Sequence, residues 1–367
     1  MKKNIAFLIY SLNSGGAERV VSTLANGLCN NFNVTIITLT KDKPFYQLKS
    51  NINLISCHEN RVKSNNKLIN SLQANFHIYK NIKKVCRNHS IDIIIGFMTE
   101  SNVLAILTAK SIKIPVIVSE RNYPPLANLS KFWKVMRKIT YGKSNILVVQ
   151  TKPILNFFKN YMKEEKIKIL ANPISKNHIE AKNNLSIEKE NIILNVGSLN
   201  YQKGQDIAIK AFAKINPPNW QLHLVGEGPK RKEYTSMISE LGMEDKIILT
   251  GRKNQISNYL LKAKIFIFPS RFEGFPNALT EAMYLGLPCI STDCPTGPTE
   301  LIMNGVNGFL TPVDNIDILA ETINELISNT RLRKEIGLKA AESVSHLEEH
   351  KVTKKWEKLI KQTLQNS

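Results

Sequence analysis

The sequence predicts an α/β protein built from two doubly wound parallel-sheet halves. Three observations carry this. The chain has 367 residues, more than one ordinary core uses and enough for two. Short apolar, β-branched runs alternate with helical stretches, the pattern that lays helices on both faces of a parallel sheet. The alternation stops at a polar stretch, residues 172–190 (NPISKNHIEAKNNLSIEKE), and then starts again. The expected organisation is an N-terminal domain over 1–171, a linker over 172–190 and a C-terminal domain over 191–347.

Residues 4–10 are a largely apolar run and predict the first strand. A glycine-bearing turn, SLNSGGAER over 11–19, leads into a helix over 20–28 and a second strand over 33–39 (NVTIITL). This βαβ unit sets Gly15 and Gly16 at the carboxyl end of a strand, where open parallel sheets bind ligands. The pair is not G-x-G-x-x-G, so the dinucleotide fingerprint is absent. Two glycines let backbone amides approach a phosphate or an acceptor, and a tight strand-to-helix turn wants them too. Further strands are predicted at 52–56, 91–97, 116–119 and 146–150. Between them lie a basic helix region over 64–89 and a helix over 103–110. A charged loop, Glu120-Arg121-Asn122, follows the strand at 116–119.

In the second half, strands are predicted at 191–196, 221–225 and 246–249, and helices at 206–214 and 232–241. Each strand runs into a loop carrying glycine or charge: Gly197-Ser198 through Lys203-Gly204, then Gly226-Glu-Gly-Pro, then Gly251-Arg252. Such loops share one rim of a parallel sheet. Residues 316–326 and 331–365 are helical by pattern.

The stretch 265–300, IFIFPSRFEGFPNALTEAMYLGLPCISTDCPTGPTE, reads as strand, loop, helix, strand, loop. Pro269, Gly274 and Pro276 open the first loop. Asn277 is placed to cap the helix, and Gly286 and Pro288 end it. Glu273 lies in the loop and Glu281 eight residues on, inside the helix. Free amides at a helix start attract phosphate, and carboxylates on either side accept hydrogen bonds from hydroxyls, the layout of a nucleotide sugar. On residue pattern alone, two solvated glutamates at a helix start fit equally.

Composition excludes several classes. Five cysteines, with no C-x-x-C and no His/Cys cluster, predict free buried thiols in a reducing compartment rather than a disulfide scaffold or a zinc site. No apolar run reaches the length of a membrane span, and no cleavable leader pattern begins the chain, so a cytoplasmic protein is expected. The net charge is +20, and residues 1–170 hold 26 Lys/Arg against 8 Asp/Glu. A basic half points to nucleic acid or an anionic membrane surface. No zinc finger, RNP-type motif or basic-region heptad supports nucleic acid. Basic residues interleaved with aromatics at 131–141 (KFWKVMRKITY) and 157–163 fit the inner face of a cell membrane, and equally a solvated helix face.

These residues carry a resemblance. The GGAER turn, the G-x₅-K-G loop, the V-G-E-G-P turn and E-G-F-P followed by Glu281 resemble the retaining glycosyltransferases of family 4. The first part is similar to bacterial enzymes that extend oligosaccharides on polyprenyl diphosphate, including N-acetylgalactosaminyltransferases. The segment DCPTGPTELI resembles that of capsule, exopolysaccharide and O-antigen transferases. The resemblance implies the GT-B fold, two Rossmann-like domains facing across a cleft, with the last helix, 348–367, crossing back to the first domain. It implies a UDP-sugar donor and transfer of a hexose or N-acetylhexosamine to a polyprenyl-diphosphate-linked saccharide. A GDP- or ADP-sugar, a soluble acceptor, or a non-catalytic nucleotide-sugar-binding subunit are the alternatives.

Carried over position by position, the resemblance implies that Glu273 meets donor-sugar hydroxyls and Glu281 the ribose. Backbone amides across Gly274, Phe275, Asn277, Ala278 and Leu279, with Pro276 excepted, meet the diphosphate, and Lys203 neutralises it. Gly197, Ser198 and Arg252 border the donor. Gly15, Gly16, Arg19, Arg121 and Asn122 belong to the acceptor and diphosphate side. A lysine and a helix start stabilise a departing nucleoside diphosphate, and there is no D-x-D motif, so neither a metal nor another cofactor is expected. The chain departs from the family pattern at Ser198, where arginine is common, and at Arg121, where histidine is.

Overall fold

All strand pairing in the two sheets is parallel among the described residues, as the alternation of strand and helix predicts. The computed structural model describes residues 1–58, 67–182 and 187–366. It divides into unit 1, residues 1–173 with 349–367, and unit 2, residues 174–348.

Unit 1 runs β1 (Asn4–Ile9), α1 (Gly16–Leu28), β2 (Asn33–Thr38), β3 (Asn53–Ser56), α2 (Lys67–Asn88), β4 (Ile93–Phe97), α3 (Thr99–Ile112), β5 (Val116–Ser119), α4 (Lys131–Thr140), β6 (Ile146–Val149), α5 (Lys152–Phe158) and β7 (Ile167–Ile169). Its sheet order is β3-β2-β1-β4-β5-β6-β7. The central strands β1 and β4 are apolar because helices cover both faces, and Ile5, Phe7, Ile93 and Ile95 are fully buried. The order reverses between β1 and β4, so the loop that ends at Gly15, with Gly16 the first residue of α1, leaves the sheet at its switch point.

Unit 2 runs α6 (Lys176–Lys182), β8 (Ile192–Val196), α7 (Gln205–Ile215), β9 (Gln221–Val225), α8 (Arg231–Glu240), β10 (Ile247–Gly251), α9 (Ile256–Lys262), β11 (Ile265–Phe268), α10 (Asn277–Tyr284), β12 (Cys289–Thr292), α11 (Pro298–Leu301), β13 (Phe309–Thr311), α12 (Ile316–Ser328) and α13 (Thr330–Ser343). The order is β10-β9-β8-β11-β12-β13, with its switch point between β8 and β11.

Several expectations are corrected. The stretch 172–190 is not a linker throughout. Residues 176–182 form α6, which packs on α9, and Ile174 pairs with Glu348, so both ends of unit 2 are tied together. Residues 183–186 of that stretch, and 64–66 of the basic helix region, lie outside the described residues. The helical stretch 331–365 is two helices with a break at 344–348. Asn277 is the first helical residue rather than the cap, a place taken by Pro276, whose side chain cannot accept a hydrogen bond. All five cysteines are free and buried, and burial pushes the Cys57 thiol up to about 11 and Cys86 to about 12.

The last helix, α14 (Glu349–Gln365), belongs to unit 1. Val352, Trp356, Leu359 and Ile360 share one core with Val20, Val21, Leu24 and Leu28 of α1. Trp356 is fully buried and stacks on Phe97 at the end of β4, with ring centroids 5.8 Å apart. Gly27 lets the two helices touch, since a Cβ there would come within 2.8 Å of the Thr353 side chain. We expect Trp356→Ala to cost about 3–5 kcal/mol of stability, read as a lowered denaturant midpoint; an unchanged midpoint would contradict the docking of α14.

Candidate functional site

In unit 2 the loops that follow β8 and β11 leave the sheet on either side of its switch point. The first, 197–204, is shaped by glycines that other residues cannot replace. Gly204 has φ +64° and its Cα faces the Pro269 carbonyl, which an added Cβ would overlap; Gly226, φ +154°, meets the Gly197 carbonyl in the same way. The Asn200 side chain accepts from the Lys203 amide at 3.1 Å and ends the loop in a 3-10 turn. Ser198 donates its hydroxyl to the Glu227 carbonyl at 3.1 Å, so its oxygen is engaged in joining the two glycine loops. The stem of Lys203 lies over Gly197, where a Cβ would stand 3.4 Å from it.

That geometry delivers Lys203 Nζ to 2.6 Å from Glu273 Oε1 and 5.2 Å from the Phe268 ring centre. Glu273 is 4% exposed. A carboxylate so desolvated needs a cation or a donor, and Lys203 supplies one from 70 residues away. The Glu273 backbone is itself held, because Thr296 Oγ1 lies 3.2 Å from both the Glu273 and Gly274 carbonyls. The loop holding Thr296 also carries Gly297, φ +100°, where a Cβ would come within 2.7 Å of the Pro276 ring.

Helix α10 begins beside this pair. The Asn277 amide bonds the Phe275 carbonyl, and the helical ladder starts with Thr280 N–H to Pro276 C=O. The Ala278 and Leu279 amides therefore have no intrahelical partner, the usual state of a helix start. Glu281 lies one turn on and is 3% exposed. Its Oε2 is 3.3 Å from His178 Nε2, and His178 Nδ1 is 3.2 Å from the Ser257 hydroxyl. Arg252 is exposed at the end of β10, the edge strand, two strands from the switch point.

The expected residues on the acceptor side all fall in unit 1. Gly15 caps α1 in an extended conformation, with the Tyr46 hydroxyl donating to its carbonyl at 3.3 Å and the Arg19 amide at 3.1 Å. Burial raises the pKa of neighbouring Glu18. Asn122 is exposed, but Arg121 is a core residue, 7% exposed. Its guanidinium bonds Asn172 Oδ1 and lies 4.8 Å from the Phe97 ring centre and 5.7 Å from that of Trp356. Burial lowers its pKa to about 9. Glu120 beside it is buried as well, accepting from Thr99 at 2.7 Å and Tyr141 at 2.8 Å, and burial raises its pKa.

Sequence reasoning therefore brings Lys203, Glu273 and the start of α10 together. It misses His178, Ser257, Asp206 and Arg271. His178 stands in a polar stretch without periodicity, 103 residues from Glu281, and no spacing signal joins them. Arg271 sits inside the quoted stretch, but its partner Asp206 is 65 residues away.

Comparison with known proteins identifies the family and the fold. Residues 14–178 match the family model described as Glycosyltransferase Family 4, and residues 177–343 that of Glycosyl transferases group 1. A Campylobacter jejuni protein, N-acetylgalactosamine-N,N'-diacetylbacillosaminyl-diphospho-undecaprenol 4-alpha-N-acetylgalactosaminyltransferase, is 30% identical over 348 residues, covering 92% of this chain and 94% of its own. A second from the same organism, a GalNAc-alpha-(1->4)-GalNAc-alpha-(1->3)-diNAcBac-PP-undecaprenol alpha-1,4-N-acetyl-D-galactosaminyltransferase, is 28% identical over 359 residues, 97% of this chain and 98% of its own. Among solved structures, HepE of Anabaena in complex with UDP-glucose superposes with a TM-score of 0.80 at 18% identity, covering 98% of this chain and 99% of its own. Two parallel-sheet Rossmann-like units, a glycine-shaped loop ending in Lys203 and the E-G-F-P stretch are thus found in a chain that belongs to the family 4 glycosyltransferases, hexosyl-transferring enzymes of the GT-B fold.

Proposed function

We propose that the enzyme moves one N-acetylhexosamine, N-acetylgalactosamine as first choice, from a UDP-sugar to a saccharide carried on a polyprenyl diphosphate, with retention at the anomeric carbon, in the assembly of a bacterial surface polysaccharide or glycoprotein glycan. The observation that carries this is the Lys203–Glu273 pair, 2.6 Å apart at the switch point of unit 2 and beside the start of α10. The relatives whose names specify undecaprenol-diphosphate acceptors and N-acetylgalactosamine support the choice of acceptor and sugar.

On this reading the donor takes over contacts that the protein otherwise makes with itself. The diphosphate meets Lys203 and the Ala278 and Leu279 amides, while sugar hydroxyls donate to Glu273 and ribose hydroxyls to Glu281. As the bond to the leaving nucleoside diphosphate lengthens, negative charge grows on its oxygens. A fixed ammonium and the positive end of a helix stabilise that charge without reorganising at the moment of reaction. These groups place positive charge where the leaving group develops negative charge, and the sequence has no D-x-D motif, so the proposed reaction uses no metal.

The acceptor's carrier is a lipid, and α4 suits a lipid surface. Phe132, Val135 and Ile139 are 44%, 55% and 54% exposed on α4, at the three- and four-residue spacing of one helix face, with Lys131, Lys134 and Lys138 beside them. Among the described residues no helix is long and apolar enough to cross a membrane, so attachment through such a face supports a peripheral location at the cytoplasmic side of the inner membrane.

Three outcomes follow. In a panel of nucleotide sugars, UDP-N-acetylgalactosamine should raise the melting temperature more than GDP- or ADP-sugars; a preference for GDP or ADP would replace the donor assigned here. Lys203→Ala should lower kcat by on the order of 100-fold, and a chelator should leave wild-type turnover intact; chelator-sensitive turnover would show that a metal takes part. Reversing the charge of Lys131, Lys134 and Lys138 should weaken binding to anionic liposomes, by about 1 kcal/mol per lost basic residue, and unchanged binding would remove α4 from the membrane surface.

A further inference from the structure

Given the donor site proposed above, we infer that Arg271 is a positioning residue that clamps the Lys203 loop to the Glu273 loop and so sets the distance between the group that holds the donor's diphosphate and the group that holds its sugar. Arg271 lies two residues before Glu273. Its partners bracket Lys203 in sequence, with Tyr201 before it and Asp206 after it.

The clamp has both a backbone and a side-chain part. The Arg271 amide donates to the Gln202 carbonyl at 2.8 Å, and Gln202 Nε2 returns a bond to the Phe272 carbonyl at 2.9 Å. The Arg271 guanidinium grips Asp206 with both arms, Nη1 to Oδ1 at 3.0 Å and Nη2 to Oδ2 at 2.7 Å. Nη1 also donates to the Tyr201 carbonyl at 2.6 Å, and the guanidinium lies 4.1 Å from the Tyr201 ring centre. Nε stands 2.8 Å from Asp314 Oδ1. The side chain is 9% exposed, so water screens these contacts weakly. Asp206 lies in the first turn of α7, where a helix start favours an acid.

Two consequences separate this arginine from a diphosphate ligand. Its Nη donors are already directed at Asp206 and Tyr201, which leaves no free fork for a phosphate, and Asp314 adds an ion-pair contact at Nε. And the segments it joins have little structure of their own, one a single 3-10 turn and the other a proline-bounded loop. Lysine has a flexible four-carbon stem, so the 2.6 Å approach of Lys203 to Glu273 depends on where these two backbones are pinned. A planar, bidentate grip is what arginine provides and lysine does not.

The test is steady-state turnover at saturating UDP-sugar. Arg271→Met should lower kcat by about 10- to 100-fold, the scale expected when a catalytic group is displaced by about an ångström, and Arg271→Lys should not restore it. Asp206→Asn, which keeps the size of the acid, should reproduce the loss and serves in its place if Arg271→Met does not fold. The decisive comparison is the double variant. If Arg271 acts through Lys203, adding Arg271→Met to Lys203→Ala lowers kcat no further than Lys203→Ala alone. A full further loss would mean that Arg271 acts independently of Lys203, and unimpaired turnover in Arg271→Met or recovery in Arg271→Lys would overturn the clamp. Unimpaired turnover in Lys203→Ala would instead overturn the donor site and with it the clamp's role.

Discussion

A parallel sheet presents all of its strand-to-helix loops on one edge, and at the point where strand order reverses the two neighbouring loops part in opposite directions. In unit 2 that point lies between β8 and β11. The donor site depends on it, because it brings the loops of Lys203 and Glu273 together across 70 residues of chain. The glycines follow from the same constraint. Loops leaving adjacent strands crowd one another, and at Gly204 and Gly226 the crowding partner is a backbone carbonyl. A side chain could rotate away from an intruding Cβ; a carbonyl held in the loop could not. The positive φ at both positions adds a second requirement for glycine.

Within that frame the charges are arranged so that neither glutamate is left alone. Glu273 and Glu281 are each nearly inaccessible, and each lies against a group able to carry positive charge, Lys203 in one case and His178 in the other. A buried carboxylate without such a partner would be costly. On the proposed function, donor binding is then an exchange. The diphosphate competes with Glu273 for Lys203, and sugar hydroxyls compensate Glu273 for what it loses. An exchange of this kind favours a ligand that supplies both anion and hydroxyls over one that supplies only the anion, because the latter strands a buried carboxylate.

Much of this was legible in the sequence, and the parts that were not share a cause. The buried strands announce themselves because parallel strands are apolar on both faces. The three-residue strands β7 and β13 do not, since IKI and FLT are too short for any period to register. Helix α6 hides in a polar segment because only one of its seven residues, His178, is buried. Lys203, Glu273 and the start of α10 could be found from local signals of glycine, proline and charge. His178, Asp206 and Arg271 could not, because their meaning lies in partners 65 or more residues away that only the folded topology brings near.

Arg121 shows the same limit from the other side. A charged residue just past a strand end reads as part of a ligand-binding rim, and the family pattern has histidine there. The resemblance implies that the last helix crosses back to unit 1, but not that Trp356 covers this strand end. The arginine then lies against Phe97 from β4 and Trp356 from the chain end while reaching Asn172, the residue before the last of unit 1's first segment. Its Nε and Nη2 have no hydrogen-bond partner among the described residues, so ring faces and one amide hold the guanidinium, with the neighbouring Glu120 carboxylate adding attraction. Cation–π contact strengthens as water is excluded, which makes this cation dependent on α14. The longer reach of arginine, from the strand end to both rings and to Asn172, joins in one contact the two places where the chain leaves and re-enters unit 1.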